Sequence, residues 1–263
     1  MTLRRRLHDD ASLADLAEHL GVPAPELERD YLLVSIAAQL ENDFGGAFCF
    51  KGGFVLRHVH GQKRLSVDID ATRHNPALHK LDSGDVKKSI SRAGRGVFRV
   101  RVKDPQTDSG VSLDFDRVAY SGPLGTGTVA VEVSYRESVI LEPVSAEIGP
   151  PFYDPFAVPV MAPDEMVAEK LRTLTQRRRP TDLSDIAFLL STVEIDPAIV
   201  QRVASEKFQP GLVTPGDHAS RITANVEAMA SAYDATIPGL APDSPSHADA
   251  SKLLLARLRH LLP

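Results

Sequence analysis

The sequence predicts an α+β fold, with a mixed sheet and flanking helices in residues 1–160 and a C-terminal helical bundle in residues 161–263. Two observations support this prediction. Short segments of alternating apolar and polar residues, separated by Gly, Pro and Asp, run from residue 65 to residue 146, as β-strands do. Beyond Pro163 the apolar residues recur every three or four positions instead, which is typical of amphipathic helices.

Helices are expected on both sides of the first predicted strand. Ser12 can cap the first helix and Gly21 can end it, while Gly45 ends a longer amphipathic helix. The predicted elements of the first part are helices 12–20, 23–43, 54–60 and 83–94 and strands 65–71, 98–102, 111–115, 128–135 and 139–146. The predicted helices of the second part are 164–176, 182–190, 197–206, 217–233 and 246–262.

Composition and charge restrict the classes of protein to consider. The chain has 263 residues, 43% hydrophobic and 25% charged, as in an ordinary globular protein. The net charge of −5 argues against indiscriminate coating of nucleic acid, although local basic patches remain compatible with it. Cys49 is the only cysteine, so no internal disulfide exists. Because no run of about 18 apolar residues and no secretory signal occurs, we expect a cytoplasmic protein. We also expect it to be a monomer.

Carboxylates alternate along the predicted strand 65–71. Ser66, Asp68 and Asp70 are expected on one face of this strand, with about 7 Å between each residue and the next of the three. The residues that alternate with them are expected on the buried face: Leu65, Val67, Ile69 and Ala71. Two carboxylates at this spacing can share a hard divalent ion such as Mg²⁺, which binds few carboxylates together with substrate phosphates. An exposed strand face is the alternative interpretation of the same pattern.

A glycine pair precedes these carboxylates. Lys51, Gly52 and Gly53 lie 15 to 17 residues before Asp68 and are followed by a short predicted helix containing Arg57. Glycines before a helix let backbone N–H groups approach phosphate oxygens, although a Gly-Gly pair is also common in simple turns. The order of loop, helix and carboxylate strand predicts a cradle for phosphate and metal.

Lys170 lies in the apolar stripe of its predicted helix, between Met166 and Leu174. A lysine in such a stripe is disfavoured unless it meets an anion or extends to the surface, so we expect its removal to cost no stability. A nucleoside triphosphate would satisfy the charge. Asp182 and Asp185 share one helix face, and Asp182 could also simply complement the N-terminus of that helix. Arg172 is expected at the surface.

Several of these segments together resemble one family. Residues 51–57 (KGGFVLR) and 64–70 (RLSVDID) are similar to the signature of the AbiEii/MenT-type nucleotidyltransferase toxins, within the DNA polymerase β-like nucleotidyltransferase superfamily. Residues 27–31 (LERDY) resemble the opening helix of that family, and Lys170 with Asp182 and Asp185 resembles its C-terminal motif. Thr181 departs from the pattern, because the family usually has a basic residue there.

The resemblance implies a polymerase-β-like fold and a reaction. The expected enzyme is a toxin of a toxin–antitoxin pair that transfers nucleotides from a nucleoside triphosphate, with CTP as one candidate, to the 3′ end of tRNA. Asp68 and Asp70 would hold Mg²⁺. The resemblance implies as catalytic residues Asp68, Asp70, Glu132, Lys170 and Asp185, and as nucleotide-binding residues Lys51, Gly52, Gly53, Arg57, Ser66 and Asp182. It also implies that at least one of Asp182 and Asp185 helps to position Lys170 or the nucleotide. In the family the serine before the aspartates, here Ser66, is a phosphorylation site for the cognate antitoxin.

A third carboxylate is expected on a neighbouring strand, since polymerase-β-like sites use one. Glu132 is preferred because Val129, Val131 and Val133 occupy the opposite face of its strand and because residues 131–137 resemble the third strand of the family. Asp114 and Asp116 alternate in the same way and remain open as alternatives.

Basic residues concentrate in two segments of this acidic chain. Residues 87–103 contain seven Lys or Arg and no acidic residue, and residues 177–179 are three arginines. Such runs are often solvated faces, but they also suit the phosphate backbone of an RNA acceptor stem.

Two other functions remain open: modification of protein hydroxyls by the same fold, and a non-catalytic nucleotide-binding module.

Overall fold

The structure, a computed structural model, describes residues 10–74, 82–106, 112–208 and 217–263. The chain divides into two compact units. The first comprises Met1–Gly61, Leu65–Val139 and Pro143–Val160, and the second comprises Gln62–Arg64, Ile140–Glu142 and Met161–Pro263. The prediction of an α+β fold with a mixed sheet, flanking helices and C-terminal helices is confirmed.

The described part of the first unit contains a seven-stranded mixed sheet of order β3-β4-β5-β2-β1-β7-β6. Strand β1 is antiparallel to β2 and parallel to β7, while β5 is parallel to β2 and antiparallel to β4. The helices of this unit are α1 (Asp10–Leu20), α2 (Ala24–Phe44), α3 (Gly52–His58) and α4 (Ser83–Arg92). Its strands are β1 (Phe48–Lys51), β2 (Asp68–Arg73), β3 (Arg99–Val102), β4 (Ser112–Ser121), β5 (Thr126–Ser134), β6 (Val144–Ile148) and β7 (Phe156–Val160).

Helix α2 is the central core element of the first unit. Its middle, residues 30–38, is buried on every side, so residues 31–38 are apolar nearly all round rather than on one stripe. Tyr31 stacks on Phe152 with ring centroids 4.8 Å apart and meets Phe98 edge-on at 5.2 Å. The hydroxyl of Tyr153 donates a hydrogen bond to Ser35 Oγ at 3.0 Å. These contacts fix α2 against the loops at one end of the sheet.

The second unit is helical in its described residues. Its helices are α5 (Pro163–Gln176), α6 (Pro180–Thr192), α7 (Pro197–Lys207), α8 (His218–Ala228), α9 (Ala230–Leu240) and α10 (His247–Leu261). Helix α5 packs on α6, α7 and α8, and α6 packs on α9 and α10. No helix among the described residues of the chain combines the length and the apolar character that a membrane crossing requires.

A buried ion triad joins three segments of the second unit. Lys207 Nζ lies 2.7 Å from Glu165 Oε1 and 2.8 Å from Glu169 Oε1. The Glu165 carboxylate also accepts hydrogen bonds from the backbone N–H groups of Ile140 and Leu141. Because every charge has partners, burial of this triad is tolerated, and residues 140–142 are held against α5.

Several predicted elements differ from the structure. Strand β1 was not predicted, because three of its four residues are buried and its sequence does not alternate. Strand β7 was not predicted, because it contains Pro159 within a proline-rich stretch. The predicted strand 139–146 is shifted to Val144–Ile148, since the backbone at Ile140 and Leu141 bonds to Glu165 instead. The predicted helix 217–233 is two helices that meet at Met229, and Val111 lies outside the described residues.

Candidate functional site

Side chains of opposite charge form a row across neighbouring strands of the first unit. The strand register pairs Lys51 with Asp70, Asp70 with Glu132, and Glu132 with Asp114. Paired residues of adjacent strands point to the same face of a sheet. Asp68, two residues before Asp70 on β2, shares that face. We call these five residues the carboxylate row. The predicted shared face of Asp68 and Asp70 is present, and both side chains are half-buried.

The carboxylate row is electrostatically strained. Loss of solvation raises the pKa of Glu132, and the nearby negative charges of Asp114, Glu137 and Asp68 raise it further, while Lys51 opposes the shift. Lys51 Nζ lies 3.1 Å from Glu137 Oε2, so its charge is shared with that carboxylate. A bound cation would relieve repulsion of this kind, because an opposite charge nearby favours the ionised form of a carboxylate.

The row bears on the choice of a third carboxylate. Glu132 and Asp114 face each other on adjacent strands, whereas Asp116 is exposed within the β-bulge between Phe115 and Val118 and has no paired residue on β5. Within the described ranges, no group of three or more His, Cys, Asp or Glu side chains is arranged to hold a metal ion. Asp68 and Asp70 alone still fit Mg²⁺, which needs one or two carboxylates beside substrate phosphates. Glu132 as a metal ligand stays a prediction.

Gly52 brings backbone into close approach with the row. Its φ is +71°, a conformation that side chains rarely adopt, and a Cβ built there would lie 2.5 Å from Asp70 Oδ2. Only glycine therefore allows β1 to turn into α3 beside this carboxylate. The sequence predicted Gly52 as a phosphate contact; the structure shows a second requirement for glycine at this position.

Ser66 lies beside the row but not on the strand. Strand β2 begins at Asp68, and Ser66 is buried before it, with Oγ donating to Asp68 Oδ1 at 3.0 Å. The prediction that Val67 is buried was wrong: its side chain is 52% exposed. The regular alternation of a strand does not extend to residues 65–67, because this segment is not part of the sheet. Ser66 thus orients a ligand candidate through a hydrogen bond.

Arg57, predicted to contact phosphate, binds a buried carboxylate. Arg57 Nε donates to Asp30 Oδ2 at 2.8 Å, and His58 Nε2 lies 2.9 Å from Asp30 Oδ1. Burial opposes the charged form of Asp30, but its partners His58 and Arg57 outweigh that cost and lower its pKa. These bonds hold α3, and with it Gly52, against α2. The phosphate contact of Arg57 stays a prediction.

A second acid of α2 holds another part of the same unit. Glu28 is buried and accepts a hydrogen bond from the Leu124 backbone N–H at 2.6 Å, in the turn between β4 and β5. A Cβ at Gly122 would lie 2.5 Å from Glu28 Oε1, so the turn passes directly over this carboxylate. Residues 27–31 carry part of the family resemblance, but no role was predicted for them. Two acids inside an otherwise apolar helix were the signal that they have buried partners.

Lys170 is compensated within the second unit. Its Nζ lies 3.0 Å from Asp182 Oδ1 and 2.8 Å from Asp185 Oδ2. Burial alone would lower the pKa of Lys170, but the two aspartates raise it above its usual value. The expectation that Lys170 is an awkward charge whose loss costs no stability is therefore wrong, because it neutralises two buried carboxylates.

Two arginines complete this lysine cluster. Arg64 Nη2 donates to both oxygens of Asp185 at 3.0 and 3.2 Å, and Arg177 Nε donates to Asp182 Oδ2 at 2.7 Å. With Lys170, three cations surround two carboxylates. Arg64 belongs to a motif of the resemblance, but no role was predicted for it, since its partner lies 121 residues away. Arg172, which was expected at the surface, is a buried residue of α5 instead.

Comparisons with known proteins agree with one another. The family model described as the nucleotidyl transferase AbiEii toxin of type IV toxin–antitoxin systems matches residues 36–254. The fold is similar to that of MenT4, nucleotidyltransferase toxin Rv2826c from Mycobacterium tuberculosis H37Rv, with TM-score 0.73 and 21% identity over 95% of this chain and 89% of that one. JHP933 from Helicobacter pylori is similar with TM-score 0.61 and 17% identity, over 90% and 91% of the chains. No curated protein sequence matches the chain.

Replacement of Gly52 by Ala is expected to destabilise the protein more than the same change at Gly61. Gly61 has a similar φ of +77°, but a Cβ there meets nothing within 4 Å. Gly61→Ala should cost about 1–2 kcal/mol for its backbone conformation, and Gly52→Ala about 1–3 kcal/mol more for the collision with Asp70. Urea unfolding measures both. Equal losses would show that the approach to Asp70 is not constrained.

Replacement of Lys170 by Ala is expected to lower the free energy of unfolding by roughly 3–5 kcal/mol, because it leaves buried carboxylates without their cation. Lys63→Ala is the control, since Lys63 forms an exposed ion pair with Asp243 and should cost less than about 1 kcal/mol. Thermal and urea unfolding of both variants give the comparison. A loss at Lys170 no larger than that at Lys63 would contradict the buried pairing.

Proposed function

Because the chain belongs to the AbiEii family of nucleotidyl transferase toxins of type IV toxin–antitoxin systems, we propose that it transfers a nucleotidyl group from a nucleoside triphosphate to the 3′ end of tRNA. The observation that carries the proposal is the register that puts Asp70, Glu132 and Asp114 side by side, with Asp68 on the same face. Transfer to tRNA would block aminoacylation and hence translation, which suits a toxin. Its place of action would be the cytoplasm, with a cognate antitoxin as partner.

Asp68 and Asp70 are the residues proposed to hold Mg²⁺, with Glu132 as a third ligand. When bound, a divalent ion supplies charge neutralisation for the triphosphate and acidifies a coordinated hydroxyl. In the reaction the acceptor 3′ oxygen forms a bond to the α-phosphorus while the bond to the departing pyrophosphate breaks. Glu132, which would complete the metal site, is also proposed to act on that hydroxyl as its proton acceptor.

Cationic groups are proposed to bind the triphosphate. Lys51 lies at one end of the carboxylate row, next to the backbone of Gly52 and Gly53. Lys170, Arg64 and Arg177 bind Asp182 and Asp185, which places three cationic side chains in one cluster that is proposed to attract the triphosphate. Asp182 and Asp185 would act by orienting Lys170.

The proposal is tested by incubating the protein with total tRNA, Mg²⁺ and each labelled nucleoside triphosphate in turn. Label at the tRNA 3′ end supports it, and the nucleotide that labels identifies the substrate. Periodate-oxidised tRNA, which lacks the 3′ hydroxyl, is the control and should take no label. Label in protein would favour modification of protein hydroxyls instead. Absence of label from all acceptors would favour a non-catalytic nucleotide-binding module.

Asp68→Asn and Asp70→Asn are each expected to lower the transfer rate by about 10³-fold or more, because each weakens a proposed ligand of the cation that would stabilise the negative charge developing at the reacting phosphate. Their thermal stability should be unchanged or higher, since crowded negative charge is removed. Asp116→Asn is the matched control, as this exposed carboxylate lies outside the row. Near-normal transfer by either row variant would remove the basis of the metal assignment.

Ser66 is expected to be the regulatory phosphorylation site. Its hydroxyl is buried against Asp68, so the segment before β2 must open for a kinase to reach it. A phosphate would then add about −1.5 to −2 charge beside two carboxylates and oppose binding of the triphosphate. Ser66→Ala should remain partly active, and Ser66→Glu should be inhibited. The measurements are the nucleotide transfer rates of the two variants and the incorporation of phosphate into the protein in the presence of the antitoxin. If the antitoxin abolishes the activity of Ser66→Ala completely, Ser66 is not the site of regulation.

A further inference from the structure

Strand β3 is an edge strand with an exposed basic face. Arg99 and Arg101 are exposed and alternate with half-buried Val100 and Val102. Lys103, immediately after the strand, is exposed as well. Between residues 82 and 106 several other cations have acidic partners, such as Lys87 with Asp104. We call Arg99, Arg101 and Lys103 the basic edge.

The basic edge lies on the same face of the sheet as the carboxylate row. Arg101 pairs with Ala119 on β4, and Ala119 pairs with Thr128 on β5. Thr128 and Glu132 are four residues apart on β5, so their side chains point to one face. The valines on the other face of β3 and β5 pair with buried residues. The two groups of charges therefore share one continuous sheet surface.

The surface between the two groups is open, and the charges that β4 contributes to this stretch are the exposed, opposite ones of Asp116 and Arg117 in its β-bulge. On β5, Thr126 and Thr128 are exposed, and on β4 Ser121 is exposed and Ala119 is half-buried. Thr128 lies about 13 Å from Glu132 along the strand, and Arg101 lies two strand spacings, about 10 Å, to the side. Arg101 is thus roughly 16 Å from Glu132, the length of about five stacked nucleotides at ~3.4 Å each, and Arg99, which pairs through Ser121 with Thr126, is roughly 22 Å away.

Charged residues on an edge strand also have a structural use, since they prevent pairing with other chains. That use requires charge but not a particular sign, and a lysine, arginine or glutamate would serve equally. Here all three charges of the basic edge are positive in a chain whose net charge is −5. They also lie on the face of the carboxylates, where a polyanionic acceptor has to approach against negative charge.

We propose that the sheet face from the basic edge to the carboxylate row binds the sugar–phosphate backbone of a single-stranded nucleic-acid acceptor, whose 3′ end reaches the carboxylates. Arg101 contacts a phosphate about five nucleotides from that end and Arg99 one about six or seven nucleotides from it, at ~3.4 Å per nucleotide, and the threonines of β5 leave room for the strand to cross. The proposal rests on the proposed transfer to a nucleic-acid 3′ end, and it adds the path of the acceptor over the protein.

Binding of a 5′-fluorescein-labelled 12-nucleotide single-stranded RNA tests this surface. Fluorescence anisotropy is measured without metal or triphosphate at several salt concentrations, so that binding is separate from transfer. The double variant Arg99→Glu, Arg101→Glu should weaken binding at least about tenfold. For this variant the slope of log K against log salt concentration should be smaller in magnitude by about 1.4. This is about 0.7 for each of the two phosphates that the arginines no longer neutralise.

Two further variants make the result specific. Lys252→Glu, Arg259→Glu on α10 changes the net charge equally at exposed positions and should bind RNA like the unmodified protein. Arg99→Lys, Arg101→Lys keeps the charge and should retain most of the affinity. Thermal unfolding verifies that the Glu variant is folded. If it is not, the single variants Arg99→Gln and Arg101→Gln replace it, and each should lose RNA affinity and salt dependence. The Lys variant, which should retain affinity, is then compared with these two.

The outcomes separate this surface from the proposed function. Equal RNA affinity of the basic-edge variant and the α10 variant would overturn the surface, even if nucleotide transfer occurs. Weakened binding in the basic-edge variant alone supports the surface, even if no transfer is found. Displacement of the RNA by polyglutamate at equal charge concentration would overturn it in favour of an acidic polypeptide as the occupant.

Discussion

Strand register is the constraint on which the proposed chemistry depends. Four side chains from four strands, Lys51, Asp70, Glu132 and Asp114, lie in one line only because β1, β2, β5 and β4 are paired as they are. A slip of one residue in β2 would turn Asp70 to the apolar face and Ile69 to the polar one, at a large cost in burial. The hydrophobic core therefore fixes the positions of the charges, although none of the charges stabilises the core.

Buried carboxylates have the same use in both units. Each accepts bonds from a segment distant in sequence and so holds a loop or a short helix in place. Glu28 binds the turn between β4 and β5, Asp30 binds α3, and Asp185 binds Arg64. A buried acid without such partners would be protonated or expelled, which explains why each is surrounded by donors. Through these bonds the glycine turn at Gly52 and the cationic environment of Lys170 become rigid.

The sequence predicted the local features well and the long-range ones poorly. Most helix limits and the Asp68–Asp70 alternation follow from periodicities of 3.6 and 2 residues, whereas the grouping of Lys170 with two aspartates came from the family resemblance. Strand β1 escaped prediction because a strand buried on both faces does not alternate. Partners such as Arg64 and Asp185 could not be paired from spacing, since nothing local records a contact across 121 residues. Val67 was predicted to be buried for a related reason, since the alternation of residues 65–71 does not show that the strand begins only at Asp68.

The composition of the second unit affects how such a protein can evolve. Residues 62–64 and 140–142 belong to it, although they interrupt the segments of the first unit. Arg64 binds Asp185, and the backbone N–H of Ile140 binds Glu165, so a fragment that starts at residue 161 would keep both buried acids and lose one donor group of each. The helical part is therefore poorly suited to exchange by simple gene fusion. Recombination at the apparent boundary would separate these acids from part of their buried partners, and the two parts should descend together as one hereditary unit.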